Sequence, residues 1–300
     1  MTAAVIQTDG LTKRYGRARG IEDVSMTVGA GEVFGFLGPN GAGKTTTIRL
    51  LLDLIRPSSG RIELFGSDVR RAGPAARRSL GYLPGDLRLY ERLTAREHLR
   101  YFASLRGMRD IGDGDALARR LELELDRPVR SLSKGNRQKV GLVQALMHRP
   151  ALAVFDEPTS GLDPLVQQVV YELVAEATAN GRTVFVSSHV LSEVQHIADR
   201  VALIREGRLQ LVDSVETLRR RALTRVEVTF ATPPPEGAFG HVPGVHEVER
   251  RGSVVRLTLE GSADPLVKAL GQFEVEALDS HEADLEDVFL EQYRRPADAR

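Results

Sequence analysis

Residues 38–46 read GPNGAGKTT, between the apolar run VFGFL (33–37) and a helix-patterned stretch at 45–55. The spacing is G-x-x-x-x-G-K-[ST], and physical chemistry gives each position a task. Gly38, Pro39, Asn40, Gly41, Ala42 and Gly43 form a loop whose glycines let the backbone wrap closely and turn N–H groups toward an anion. Lys44 sets a point charge at the β- and γ-phosphates of a nucleotide, and the Thr45 hydroxyl is a ligand for Mg²⁺. Thr46 continues the first turn of the following helix, whose N-terminal dipole favours negative charge. The stretch is expected to cradle a nucleoside triphosphate. Alone, it leaves kinases, GTPases and motor ATPases open, although the guanine-reading N-K-x-D tetrapeptide does not occur in the sequence.

Outward from the cradle, short β-rich runs alternate with longer helical patterns from Val5 to about Leu211. The runs are IEDVSMTV (21–28), GEVFGFLG (31–38), 61–65, ALAVFDE (151–157) and TVFVSSH (183–189). Helical patterns cover TAREHLRYFASLRG, ALARRLELELDR, NRQKVGLVQALMH and 164–179. Such alternation predicts an α/β fold with a largely parallel sheet covered by helices. ALAVFDEP ends in two acids, where a buried strand needs a cation or a proton to manage them. Asp156 is placed to hold Mg²⁺ through water, and Glu157 to polarise an attacking water as general base. The pair falls at the carboxyl end of a strand, where open α/β sheets bind ligands.

Three further pieces follow in order: LSKGN (132–136), SGLD (160–163) and a lone His189 after a strand. LSKGN in isolation is a plain helix cap, Tyr15 in isolation a half-buried sheet aromatic, and His189 a strand-end histidine. As an ordered set with the cradle and Asp156-Glu157, they resemble the nucleotide-binding subunit of ABC (ATP-binding cassette) transporters over about residues 3–215. The resemblance implies a P-loop ATPase that binds ATP and Mg²⁺, with a mixed sheet core, an antiparallel β subdomain and a helical subdomain at about 86–145. It implies that Tyr15 stacks on adenine and that His189 holds the γ-phosphate and positions Glu157. Ser133 and Gly135 would contact the γ-phosphate bound to a second copy, and Asp163 would communicate across that homodimer. Two departures stand out. The family's usual glutamine after LGYLP (80–84) is replaced by Gly85-Asp86, which leaves Asp86 as a candidate metal ligand. The signature is LSKGN where LSGGQ is usual, with Gly135 kept.

Beyond residue 220 the pattern changes. TPPPEG (232–237) cannot continue a strand or helix, since three prolines remove three backbone donors. RVEVTFA, SVVRLTL, PLVKALGQF, VEAL and a terminal ADLEDVFLEQY predict a small α+β domain at 221–300, after a nucleotide-binding domain at 1–220. A cassette with such a tail resembles the ATPase subunits of ABC-2-type exporters, which partner a separate membrane permease. Docking is expected at the helical subdomain. No apolar run approaches the ~18 residues of a membrane span. The first ten residues lack a basic-then-apolar leader, so a cytoplasmic chain lying peripherally on the inner face of the cell membrane is expected. The absence of cysteine excludes disulfides, thiolate zinc sites and thiol catalysis. With 41 Lys+Arg against 41 Asp+Glu, the neutral balance argues against nucleic acid as a partner. It thereby weighs against the alternative of a soluble ATPase acting on ribosomes or DNA. A regulatory ATP-binding protein with impaired hydrolysis is the other alternative, kept open by Gly85.

Overall fold

The computed structural model describes residues 3–16, 18–221 and 224–281. The chain divides into two compact units at Asp213/Ser214. In the first, β1 (Ala4–Tyr15) and β2 (Ala18–Gly29) precede β3 (Val33–Leu37), α1 (Lys44–Leu51), β4 (Ser59–Leu64), β5 (Ser67–Asp68) and α2 (Val69–Arg77). Then come β6 (Leu80–Leu83), α3 (Ala95–Leu105), α4 (Gly114–Arg120), α5 (Lys134–Leu146), β7 (Leu152–Asp156) and α6 (Pro164–Ala179). The unit closes with β8 (Thr183–Ser188), α7 (Leu191–Ile197), β9 (Arg200–Arg205) and β10 (Arg208–Ser214).

Two sheets result. One has the order β2-β1-β4-β5 with antiparallel pairing, and the other the order β10-β9-β3-β8-β7-β6. β6, β7, β8, β3 and β9 run parallel. β3 and β7 are buried along their whole length, as a strand covered on both faces must be. The core joins the two sheets through α1, with Ile48, Leu50 and Leu51 packed among Ile6, Val24, Val28, Leu64, Phe34 and Val154. Parallel register places the ends of β3, β8 and β7 side by side: Leu37 opposite Ser188, and Asp156 opposite Ser187. Leu83 pairs with Phe155, so the chain after β6 leaves from the same edge.

The helical expectations need two corrections. The helix expected over 45–55 stops at Leu51: Asp53 adopts φ +54°, and the amides of Asp53 and Leu54 donate to the carbonyls of Leu50 and Arg49. That is a Schellman closure, with aspartate in the left-handed position that glycine usually takes. The helix expected over ALARRLELELDR likewise ends at Arg120, closed the same way by Glu122 at φ +51°. LELEL carries period two, and Leu121, Leu123 and Leu125 are buried while Glu122 and Glu124 are exposed.

The second unit holds α8 (Val215–Arg221), β11 (Thr224–Phe230), β12 (Val245–Arg251), β13 (Val254–Leu259), α9 (Asp264–Leu270) and β14 (Val275–His281). Its sheet, β12-β13-β11-β14, is antiparallel throughout. Its own core gathers Phe230, Phe239, Leu257, Leu259, Leu266 and Leu270. Phe239 and Val242 reach that core from the loop after the prolines. The terminal helix expected at ADLEDVFLEQY lies outside the described residues.

Candidate functional site

The cradle spans the gap between β3 and α1. Gly43 sits at φ +111°, and a Cβ there would lie 2.6 Å from Ile21 Cγ2, so backbone freedom and close approach both demand glycine. Lys44 is 6 % exposed and donates to the carbonyls of Gly38 (2.7 Å) and Pro39 (3.2 Å). Among the described residues, the amides of Gly41, Gly43, Lys44, Thr45 and Thr46 donate to no protein acceptor. Amides without partners, converging at a helix start beside a buried ammonium, fit a polyphosphate.

Across the sheet edge, Asp156 is 1 % exposed. Its Oδ1 accepts from Ser187 Oγ at 2.5 Å and its Oδ2 from Thr45 Oγ1 at 2.8 Å. Burial first, and then the Asp156 charge, push the neighbouring Tyr82 phenol up to about 12, against an opposing pull from Arg49. The Thr45 hydroxyl gives its proton to Asp156, which leaves oxygen lone pairs for a cation. A hydroxyl and a carboxylate are the hard oxygen donors that Mg²⁺ takes, with phosphate and water completing its shell. Consistent with so few protein ligands, no cluster of three or more His, Cys, Asp or Glu suited to a metal occurs among the described residues. The residues fit the cation.

Glu157 follows directly, with φ +54°, a backbone region sparsely occupied by any residue but glycine. One carboxylate oxygen, Oε1, lies 3.4 Å from Lys44 Nζ and 3.2 Å from His189 Nδ1. The Glu157 amide donates to the Ser187 carbonyl at 3.1 Å, which ties this turn to β8. From the other side, Gln138 of α5 donates to the carbonyls of Glu157 (3.2 Å) and Pro158 (3.1 Å). A carboxylate held between an ammonium and an imidazole, beside a phosphate cradle, is equipped to take a proton from water as the water attacks phosphorus.

The structure thus brings together Gly38–Thr46, Asp156, Glu157 and His189. Tyr15 is exposed at the end of β1 beneath the Lys13 ammonium. Its ring flanks Gly20, one residue before the Ile21 that abuts Gly43. Ser133 and Gly135 form a separate cluster. Ser133 caps α5 by accepting from the Asn136 amide, and Gly135 packs so near the Gly161 carbonyl that a Cβ would come within 2.9 Å. Asp163 caps α6 by accepting from the Val166 amide at 3.1 Å. Asp86 is not brought to the metal side: its carboxylate is exposed and pairs with Arg88 at 3.4 Å. Gly85 is the residue at that place, where a Cβ would lie 3.2 Å from Asp156 Oδ2. Sequence reasoning missed Gln138, Thr159, Ser187, Ser188 and Glu193. Only the serine pair carried a signal, as polar residues closing the apolar strand TVFVSS.

A loop of unpaired amides with a buried lysine, opposite a strand-end Asp-Glu pair, defines a P-loop nucleoside triphosphatase. Comparison with known proteins narrows the class: the family model described as ABC transporter matches residues 21–160. The bacitracin transport ATP-binding protein BcrA of Bacillus licheniformis is 37 % identical over 73 % of this chain and 72 % of its own length. A fluoroquinolones export ATP-binding protein of Mycobacterium tuberculosis is 33 % identical over 96 % of this chain and 92 % of its own. A solved ATP-binding subunit of an ABC transporter superposes with a TM-score of 0.67 at 32 % identity, covering 72 % of this chain and 92 % of that one. The chain belongs to the ABC transporter ATP-binding proteins. It is the ATP-binding, ATP-hydrolysing subunit of an exporter.

Proposed function

We propose that the chain works as a homodimer that drives a separate integral membrane permease from the inner face of the membrane. Lys44 and the loop amides hold the β- and γ-phosphates of ATP, while Tyr15 stacks on the adenine. Thr45 and Asp156 would hold Mg²⁺, which would supply charge neutralisation at the phosphates. Glu157 accepts a proton from water as the water oxygen bonds to the γ-phosphorus. The bond from that phosphorus to the β–γ bridging oxygen breaks, and ADP leaves with its electron pair. His189 holds the γ-phosphate and orients Glu157. Ser133 and Gly135 of one copy complete the site of the other, and Asp163 carries the state of one site to its neighbour. The single observation that carries the hydrolytic part of the reading is the shared placement of Lys44 and His189 on one oxygen of Glu157.

Among the described residues, no helix is long and apolar enough to cross a membrane. In this reading the path for cargo is a second polypeptide docked on the helical region at 86–145, supported by relatives named as transport and export ATP-binding proteins. The names of relatives, bacitracin transport and fluoroquinolones export, support drugs or antibiotics as cargo, chosen by the permease. The 221–300 domain contributes to dimer contact or regulation. A tagged chain solubilised from membranes in mild detergent should co-purify with a multi-span protein and with an untagged second copy. Recovery as a free monomer from the soluble fraction alone would contradict the proposal.

A further inference from the structure

Two catalytic segments leave neighbouring strands, and something must keep them in register. Glu157 follows β7 and His189 follows β8, yet the His189 side chain is 46 % exposed and is not fixed by packing. One side chain touches both segments. Glu193, in the first turn of α7, accepts from Thr159 Oγ1 at 2.8 Å with one carboxylate oxygen and from Ser188 Oγ at 2.6 Å with the other. Thr159 stands two residues after Glu157, and Ser188 immediately precedes His189. Thr159 and Ser188 are buried, at 4 % and 3 % exposure, so each hydroxyl relies on the Glu193 carboxylate as its acceptor. Ser188 Oγ also accepts from the Val190 amide at 2.9 Å, which makes its orientation the geometry of the turn bearing His189.

We infer that Glu193 is a positioning residue for hydrolysis: by bridging Thr159 and Ser188, it holds the Glu157 carboxylate and the His189 ring in the arrangement that activates water. The left-handed backbone of Glu157 needs this restraint, because an unsupported turn relaxes toward commoner conformations. Gln138 grips the same turn through the Glu157 and Pro158 carbonyls, so the residue is clamped from two sides. Glu193 bonds to Thr159 and Ser188 and not to the 38–46 cradle, so its loss should leave the main phosphate contacts in place and lower turnover.

The inference rests on Glu157 as general base, so the test carries that variant as a control. Steady-state ATP hydrolysis and binding of a fluorescent ATP analogue are measured on the purified full chain for Glu193→Ala, Glu193→Gln, Thr159→Val and Glu157→Gln. Glu193→Ala should lower kcat by about 10- to 100-fold with KM and analogue affinity nearly unchanged, the scale of a mispositioned catalytic group. Glu193→Gln should restore most of the rate, since its amide oxygen accepts from one hydroxyl while its NH₂ donates to the other. Thr159→Val should lower kcat in part, and should add nothing to Glu193→Ala, as expected of one shared contact. A Glu193→Ala chain with parental kcat, or one whose loss lies wholly in KM, overturns the inference while Glu157→Gln remains inactive. A lowered Tm with unchanged kcat per folded molecule does the same. An active Glu157→Gln chain removes the underlying reading instead, and this inference with it.

Discussion

At the scale of single residues, the site depends on groups that have no freedom to be anything else. Gly43→Ala would force a Cβ against Ile21 at a φ of +111°. A left-handed non-glycine residue costs about 1–3 kcal/mol. The variant should lose stability by that amount in urea and fail to bind ATP by equilibrium dialysis. His148, at the end of α5, shows the same economy through protonation. Its Nε2–H donates to the Leu80 carbonyl at 3.0 Å, and its buried Nδ1 has no partner among the described residues. Burial first, and then the Arg106 charge, pull this imidazole from 6.5 to about 4, against the Leu80 hydrogen bond. The unfolded chain therefore binds the extra proton in that window. His148 stabilises the fold fully above about 6.5, and the contribution is lost as pH falls toward about 4. Urea midpoints measured across that range should fall with acidity in the parent. They should fall less steeply in His148→Gln, which keeps a donor but does not titrate.

Among the elements, helix starts follow familiar capping rules, whereas two helix ends rest on left-handed residues other than glycine. α3 starts at a complete capping box: the Thr94 hydroxyl accepts from the Glu97 amide at 3.2 Å, and the Glu97 carboxylate accepts from the Thr94 amide at 2.8 Å. Thr94→Ala should cost about 1 kcal/mol of stability in urea titration, while leaving ATP affinity unchanged. That start is legible in the sequence, as is the cap of α5 at Ser133. The stops of α1 and α4 are not, because Asp53 and Glu122 close helices in a conformation normally left to glycine. The cradle and the Asp156-Glu157 strand end are equally legible, since each packs its chemistry into one short stretch. Glu193 is invisible for the opposite reason: its partners lie 34 and 5 residues away, and only the parallel pairing of β7 with β8 makes them neighbours. Asp86 shows what sequence position leaves open: its carboxylate is exposed and pairs with Arg88.

For the whole molecule, two units with separate cores imply separable roles. The first buries Phe34, Phe36, Phe185 and their neighbours, and the second buries Phe230, Phe239 and theirs. A chain truncated after residue 221 should bind ATP with an affinity within about twofold of the parent, as expected of a domain with its own core. Its dimerisation or coupled transport should change, read by light scattering and by uptake into vesicles with the permease. Loss of ATP binding on truncation would show that the cassette does not stand alone. The central claim, however, is chemical: one carboxylate, Glu157, takes the proton from the water that splits ATP. Single-turnover phosphate release from the full chain, measured beside ATP binding, addresses it most directly. Glu157→Gln should bind ATP as the parent does and release phosphate at least about 100-fold more slowly, the scale of a lost general base. Release at the parental rate from a chain that binds ATP normally would contradict the account.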